Sequence, residues 1–118
     1  MIKTILFVKR RADLTHEEFR AYYENNHAPL AISVLPWLRR YVRNYFPQAG
    51  EAWSYDVATE FWFENAEGQA ATMAFAASPE GKILEEDEAR FMDRPTMLAY
   101  TVDEDESDLS DRADEPLR

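Results

Sequence analysis

Residues 55–63, Tyr-Asp-Val-Ala-Thr-Glu-Phe-Trp-Phe, alternate more cleanly than any other stretch of the chain. Successive side chains of a strand point to opposite faces, so Val57, Thr59, Phe61 and Phe63 share one side and Asp56, Ala58, Glu60 and Trp62 the other. The first set suits packing beneath helices. The second places two carboxylates and an indole together. Upstream, residues 38–46 read as another strand, with Tyr41, Arg43 and Tyr45 opposing Val42, Asn44 and Phe46, and residues 47–54 form the connecting loop.

Further out, residues 2–9 set Ile2, Thr4, Leu6 and Val8 against Lys3, Ile5, Phe7 and Lys9, and residues 96–102 set Leu98, Tyr100 and Val102 against Met97, Ala99 and Thr101. Helices lie between these strands. Thr15 with Glu18 is a capping-box signature, followed at helical spacing by Phe19, Tyr22, Tyr23 and Asn26. Asn25, Asn26, His27 and Pro29 are expected to end or bend that helix, since a residue before proline avoids helical geometry. Residues 30–35 resume as a short helix. Asn65 caps an alanine-rich helix through Ala77, and Ser78-Pro79 opens a second helix running to about residue 91. The order strand, helix, strand, strand, helix, strand predicts an α+β, ferredoxin-like domain over residues 1–102, with helices on one face of a four-stranded antiparallel sheet.

Composition narrows the function classes. Seven Phe, six Tyr and three Trp beside only three Gly supply enough aromatic area for a large core or an apolar pocket wall. There is no cysteine, which removes disulfides and thiolate chemistry. Two histidines at unsuitable spacing give no metal constellation, and glycines at 50, 68 and 81 make no phosphate loop. We expect no cofactor, although one histidine in an aromatic pocket suffices as a haem ligand. Of the formal charge of −10, residues 103–118 hold eight acids and two arginines, or −6, leaving −4 for the rest. Such a body offers no basic face for nucleic acid, and the acidic tail is expected to be a disordered, solvating terminus. No signal peptide or membrane span is read from the apolar runs, so a cytoplasmic location is expected.

Three stretches carry a family likeness. Residues 8–11 and 14–23, closed by Asn26-His27-Ala28-Pro29-Leu30, then residues 35–44, and finally Asp87-Glu88-Ala89-Arg90-Phe91-Met92-Asp93, together resemble the EthD family in the right order. The resemblance implies a dimeric α/β-barrel, in which two ferredoxin-like sheets face each other and each subunit keeps a cleft between sheet and helices. Relatives in that superfamily include polyketide cyclases and dehydratases, lactone isomerases, cofactor-free monooxygenases and haem-degrading enzymes. Independently, the bare face of such a sheet is a large apolar patch for a monomer, and a homodimer is expected.

His27 is the leading candidate for chemistry. Imidazole titrates near neutrality, a helix C-terminus favours its charged form, and the resemblance places it at the pocket. The alternative is a helix-ending histidine bonded to a loop carbonyl. His16 is expected to be a solvated surface residue. Tyr22 or Tyr23, about one turn earlier, shares the face of His27, either as a phenol donor or as a core residue with its hydroxyl at the surface. Asp56 and Glu60 point the same way, with Trp62 next in line; in a cleft one of them serves as acid or base, at a dimer rim it is merely solvated. Asp87 and Asp93 flank Phe91 and either orient His27 or cap the connection, the cap being expected.

Together with the resemblance, these residues point to a cofactor-independent lyase or isomerase (dehydratase, cyclase or isomerase) acting on a small aromatic or polyketide-like carbonyl compound. His27, Tyr23 and Asp56 would be catalytic, and Tyr22, Glu60, Trp62, Phe91 and Asp87 would bind substrate. The competing readings are a cofactor-free monooxygenase on phenols and a non-catalytic small-molecule-binding accessory protein.

Overall fold

In the computed structural model, which describes residues 1–47 and 54–112, the alternating stretch becomes strand β3 (Val57–Phe63). It lies between β2 (Leu38–Tyr45) and β1 (Ile2–Val8), and β4 (Leu98–Val102) completes the sheet on the far side of β1. Every neighbouring pair is antiparallel, in the order β2-β3-β1-β4. This is the ferredoxin-like α+β arrangement that the element order implied. Most of the loop read at residues 47–54 lies outside the described residues. Of the acidic tail, residues 103–112 are described and exposed, with Glu104 ion-paired to Lys3; the remaining six residues lie outside the described set.

The register fixes which side chains share a face. Thr4 sits opposite Phe61 and Thr101, Leu6 opposite Thr59 and Ala99, and Val8 opposite Val57. These rows lie under the helices α1 (His16–Tyr22), α2 (Ala28–Val34), α3 (Ala66–Ala77) and α4 (Lys82–Ala89). The intervening rows, Lys3 with Trp62 and Arg40, Ile5 with Glu60, Val42 and Tyr100, and Phe7 with Ala58 and Leu98, form the open face.

Helix starts follow local chemistry. The Thr15–Glu18 capping box is formed in full, and the Asn65 side chain accepts from the Gly68 N–H. Ser78 does not start a helix. Its hydroxyl and carbonyl instead close a turn with Phe75 and Gly81, and α4 begins at Lys82. Gly81 is required there, because a Cβ would lie 2.0 Å from the Phe75 carbonyl oxygen.

The largest departure from the sequence reading is at Pro29. The helix does not end there: Tyr23–His27 form a π-helical turn that joins α1 to α2, and Ala28 keeps helical angles (φ −63°, ψ −46°) with its N–H on the Tyr23 carbonyl. Proline lacks a donor and its ring clashes with the carbonyl four residues back, so widening the preceding turn by one residue lets the helix pass through it. The same widening aligns the buried stripe Phe19, Tyr23, His27, Ala31 and Leu35. Each step of four residues overshoots an ideal helical face by about 40°, and the extra residue takes back about 100°. His27 is therefore inside a continuous helical segment, and no C-terminal dipole acts on it.

Phe91 is fully buried with Val8, Phe19, Tyr23, Val57 and Met92, its ring 5.4 Å from Phe19, 5.3 Å from Tyr23 and 5.1 Å from His27. Phe91→Ala should cost about 3–5 kcal/mol; equilibrium urea unfolding reads this, and a loss below 1 kcal/mol would show that the site collapses around the gap.

Candidate active site

Between the helices and the sheet lies a cavity of about 300 Å³, at the small end of the range for ligand pockets. Its walls are mostly apolar. Ala31 and Leu35 come from the α2 side, Met73 and Ala76 from α3, Leu84 from α4, and Tyr41, Phe61, Phe63 and Ala99 from the sheet. Polar groups enter at few points: His27, Glu88, Thr72, whose hydroxyl donates to the Gly68 carbonyl, and the cluster of Thr4, Gln69 and Thr101, where the Gln69 amide donates to both threonine hydroxyls at 2.9 Å.

His27 is 4% exposed, and its Nδ1 is 2.8 Å from Asp87 Oδ2. Asp87 is itself buried and also accepts from the Tyr22 hydroxyl at 2.6 Å and Arg90 Nη1 at 3.0 Å. Burial works to raise the Asp87 pKa, but the bonds from Tyr22, His27 and Arg90 outweigh it and hold the carboxyl below its ordinary range. An ionised carboxylate only accepts, so Nδ1 of His27 carries the proton and the neutral ring has its lone pair on Nε2. No described residue bonds Nε2. Since no fully buried side-chain nitrogen or oxygen lacks a partner among the described residues, Nε2 keeps contact with open space, and the space beside His27 is the cavity.

Asp87 thus orients His27 rather than capping the connection, as its position next to Phe91 had suggested. It does so because Leu84, Asp87 and Glu88 stand three and four residues apart on α4 and turn toward the π-helical turn together. Glu88 lines the cavity, its side chain 20% exposed, with Oε1 accepting from Arg94 Nε at 3.2 Å. Burial raises its pKa against the opposing pull of His27 and Arg94.

The other predicted site residues are scattered. Tyr22 reaches Asp87 rather than the cavity. The Tyr23 hydroxyl is not at the surface: the residue is 1% exposed, the hydroxyl accepts from Tyr41 at 3.0 Å and lies 2.9 Å from Thr59 Oγ1, and burial pushes the phenol up to about 12. Phe91 is core behind His27, not cavity wall. Asp56 precedes β3 and never enters the cleft; it is 1% exposed and accepts from the Arg10 N–H and Arg10 Nη1, each at 2.8 Å. Its third partner is Nδ1 of His16, also at 2.8 Å, so His16 is a half-buried anchor of α1 and not a solvated residue. Glu60 and Trp62 are on the open face, where the indole N–H donates to Glu60 at 2.9 Å and Lys3 Nζ stands 4.6 Å from the ring centroid. Trp62 is therefore no wall of this cavity, because its strand position faces away from the helices. Among the described residues no three His, Asp or Glu side chains converge as a metal site would require.

Residues 11–95 match the EthD domain. The chain belongs to the EthD family. Solved structures similar to this EthD protein include an EthD-family protein from Bacillus halodurans, at 19% identity and TM-score 0.61, covering 88% of this chain and 99% of that one. At3g17210 from Arabidopsis thaliana aligns at 13% identity and TM-score 0.67, over 92% of this chain and 100% of that one. A dimeric protein with a ferredoxin-like fold from Bacteroides fragilis aligns at 16% identity and TM-score 0.58, over 86% and 93%. No curated protein matches. At these identities the structures show a shared fold.

Glu88, Tyr41, Phe61 and Gln69 belong to the cavity of this EthD protein and were not picked out from sequence. The signal for Glu88 was the spacing of Leu84, Asp87 and Glu88, which puts two carboxylates on the apolar side of a helix. For Asp87, the folded-state pKa lies below the unfolded one, so its contribution to stability is present above the ordinary carboxylate range and lost as pH falls through the lower, folded value. Asp87→Asn should therefore lower stability near neutrality by about 1–3 kcal/mol. Urea midpoints measured against pH should show that deficit shrinking toward strongly acidic conditions; a deficit independent of pH would mean the carboxylate charge is not what the fold uses.

Proposed function

We propose that this EthD protein is a cofactor-independent lyase or isomerase that moves a proton on a small, largely apolar carbonyl compound, with His27 as the acid–base group. The observation that carries this is the Asp87–His27 pair on the wall of an otherwise apolar cavity. A carboxylate that fixes one imidazole nitrogen selects the tautomer and supports the positive charge that forms when the other nitrogen takes a proton. The apolar walls hold a compact ring system, exclude water and leave few competing polar contacts. Gln69 keeps its amide oxygen for a ligand, since both of its hydrogen bonds to described residues use the nitrogen.

The protein works as a homodimer, paired through the open face of the sheet. Leu98 and Tyr100 are 41% and 52% exposed there, beside Ile5, Phe7 and Trp62. So much apolar area on one side of a sheet favours self-association. Sedimentation equilibrium should return twice the chain mass, and Ile5→Asp, which sets a charge in the middle of that face, should yield monomers. A monomeric wild type would remove this part of the reading.

The activity is tested with β-tetralone, a ketone whose benzylic protons are acidic. Its exchange into deuterated buffer, followed by proton NMR, should be accelerated by the wild type and slowed about a hundredfold by His27→Ala. Exchange no faster than with the same concentration of free imidazole would leave a binding protein instead.

A further inference from the structure

Two carboxylates of α4 turn toward His27, and only one of them is used in orienting it. Asp87 holds Nδ1, whereas Glu88 lines the cavity itself alongside His27, Tyr41, Phe61 and Leu84. We propose that Glu88 is the second catalytic residue of this cavity, giving a proton to the substrate's carbonyl oxygen while His27 takes one from the adjacent carbon. This rests on the proton-transfer reading above and narrows its substrate class. The compound is neutral, small enough for the cavity, and carries an enolisable C–H next to a carbonyl whose oxygen reaches Glu88.

The step balances. The C–H bond breaks and its proton goes to Nε2 of His27; the freed pair forms the C=C bond. The carbonyl π pair takes the Glu88 proton and becomes the enol O–H. A neutral substrate becomes a neutral enol, leaving imidazolium and carboxylate side by side, and the reverse transfers return a proton from His27 to the same carbon and the enol proton to Glu88.

Geometry favours this role over a purely structural one. Arg94 occupies Oε1 of Glu88, but Arg94 also has Glu85 as a partner at 3.3 Å, so its place does not depend on Glu88. Oε2 has no partner among the described residues, and no fully buried side-chain oxygen among them is unsatisfied, so this oxygen faces open space. The groups acting on Glu88 are His27 on the π-helical turn, Arg94 on the following 3₁₀ turn and Glu85 on its own helix, with the Tyr23 phenol behind. Across the cavity, the Tyr41 hydroxyl is committed to Tyr23 and cannot donate in Glu88's place. Burial favours the protonated carboxyl over the pull of Arg94 and of His27 when that ring is charged, which keeps a transferable proton on Glu88 to higher pH than on an ordinary glutamate.

The active form carries one proton on the His27–Glu88 pair, and a pair holding two or none is inactive. The exchange rate of β-tetralone should therefore be bell-shaped in pH. In Glu88→Gln the rate should fall about a hundredfold, and the alkaline limb should vanish, leaving only the rise as His27 loses its proton. Glu88→Ala should regain rate with added formic acid, and Glu88→Asp should restore the alkaline limb. Circular dichroism and urea unfolding verify that each variant is folded. A Glu88→Gln protein with the wild-type rate, or with a lowered rate but both limbs intact, overturns the assignment while leaving His27 untouched. If His27→Ala instead exchanges as fast as wild type, the reading beneath it fails, whatever Glu88→Gln does.

Discussion

Pro29 offers no N–H to the helix that runs through it, and the inner side of the protein is arranged around that missing donor. The π-helical turn at Tyr23–His27 accommodates it by giving Ala28 a bond to the Tyr23 carbonyl. Without the added residue, a stripe spaced by fours would wind away from the sheet before reaching α2. With it, Phe19 and Tyr23 enter the main core, His27 reaches Asp87, and Ala31 and Leu35 continue on to the cavity wall. One backbone adjustment thus joins core, dyad and pocket on a single rigid segment. That is a better support for a titrating side chain than a loop would be.

Three buried or half-buried carboxylates divide the polar work of the interior. Asp56 fastens the end of β1 and the start of α1 to the sheet through Arg10 and His16. Asp87 gathers Tyr22, His27 and Arg90, and the sum of those donors overcomes the cost of burying its charge. Glu88 has one good partner and a desolvated environment, and the balance tips the other way. The contrast between the two neighbours on α4 comes from the number of donors that each one meets, since both are acids on the same turn. Beside them, Glu24 ties Arg43 and Tyr45 into a network under the helices, where a cation would otherwise be stranded.

Much of the fold was legible because strands announce themselves by a period of two. The faces of β3 and β2 follow directly from Val57, Thr59 and Phe61 and from Tyr41, Arg43 and Tyr45. The site was less legible. His27 stood out by its chemistry and Asp87 by its nearness to Phe91, but their pairing joins residues sixty positions apart. Periodicity says nothing about such a contact. Asp56 was misread because the alternation was extended one residue too far: β3 starts at Val57, and before it the chain bends. Asn26 was read on the helix's inner face by ordinary helical spacing, and it is exposed because the π-helical turn shifts that face. Trp62 was assigned correctly to the face opposite Phe61, yet the cavity lies on the other side.

The strand order has a consequence for how the chain is made. Within this domain β1 precedes every other element, and it sits in the interior of the sheet with both of its neighbours drawn from Val57 onward: Ile2 lies opposite Phe63, and Lys3 opposite Val102. A nascent chain of half length therefore exposes an apolar strand with no edge to join, since loop closure over so many residues must precede any pairing. The second edge of β1 stays unpaired until β4 is available, so the apolar Ile2–Val8 segment keeps an open edge until the last strand of the sheet is made.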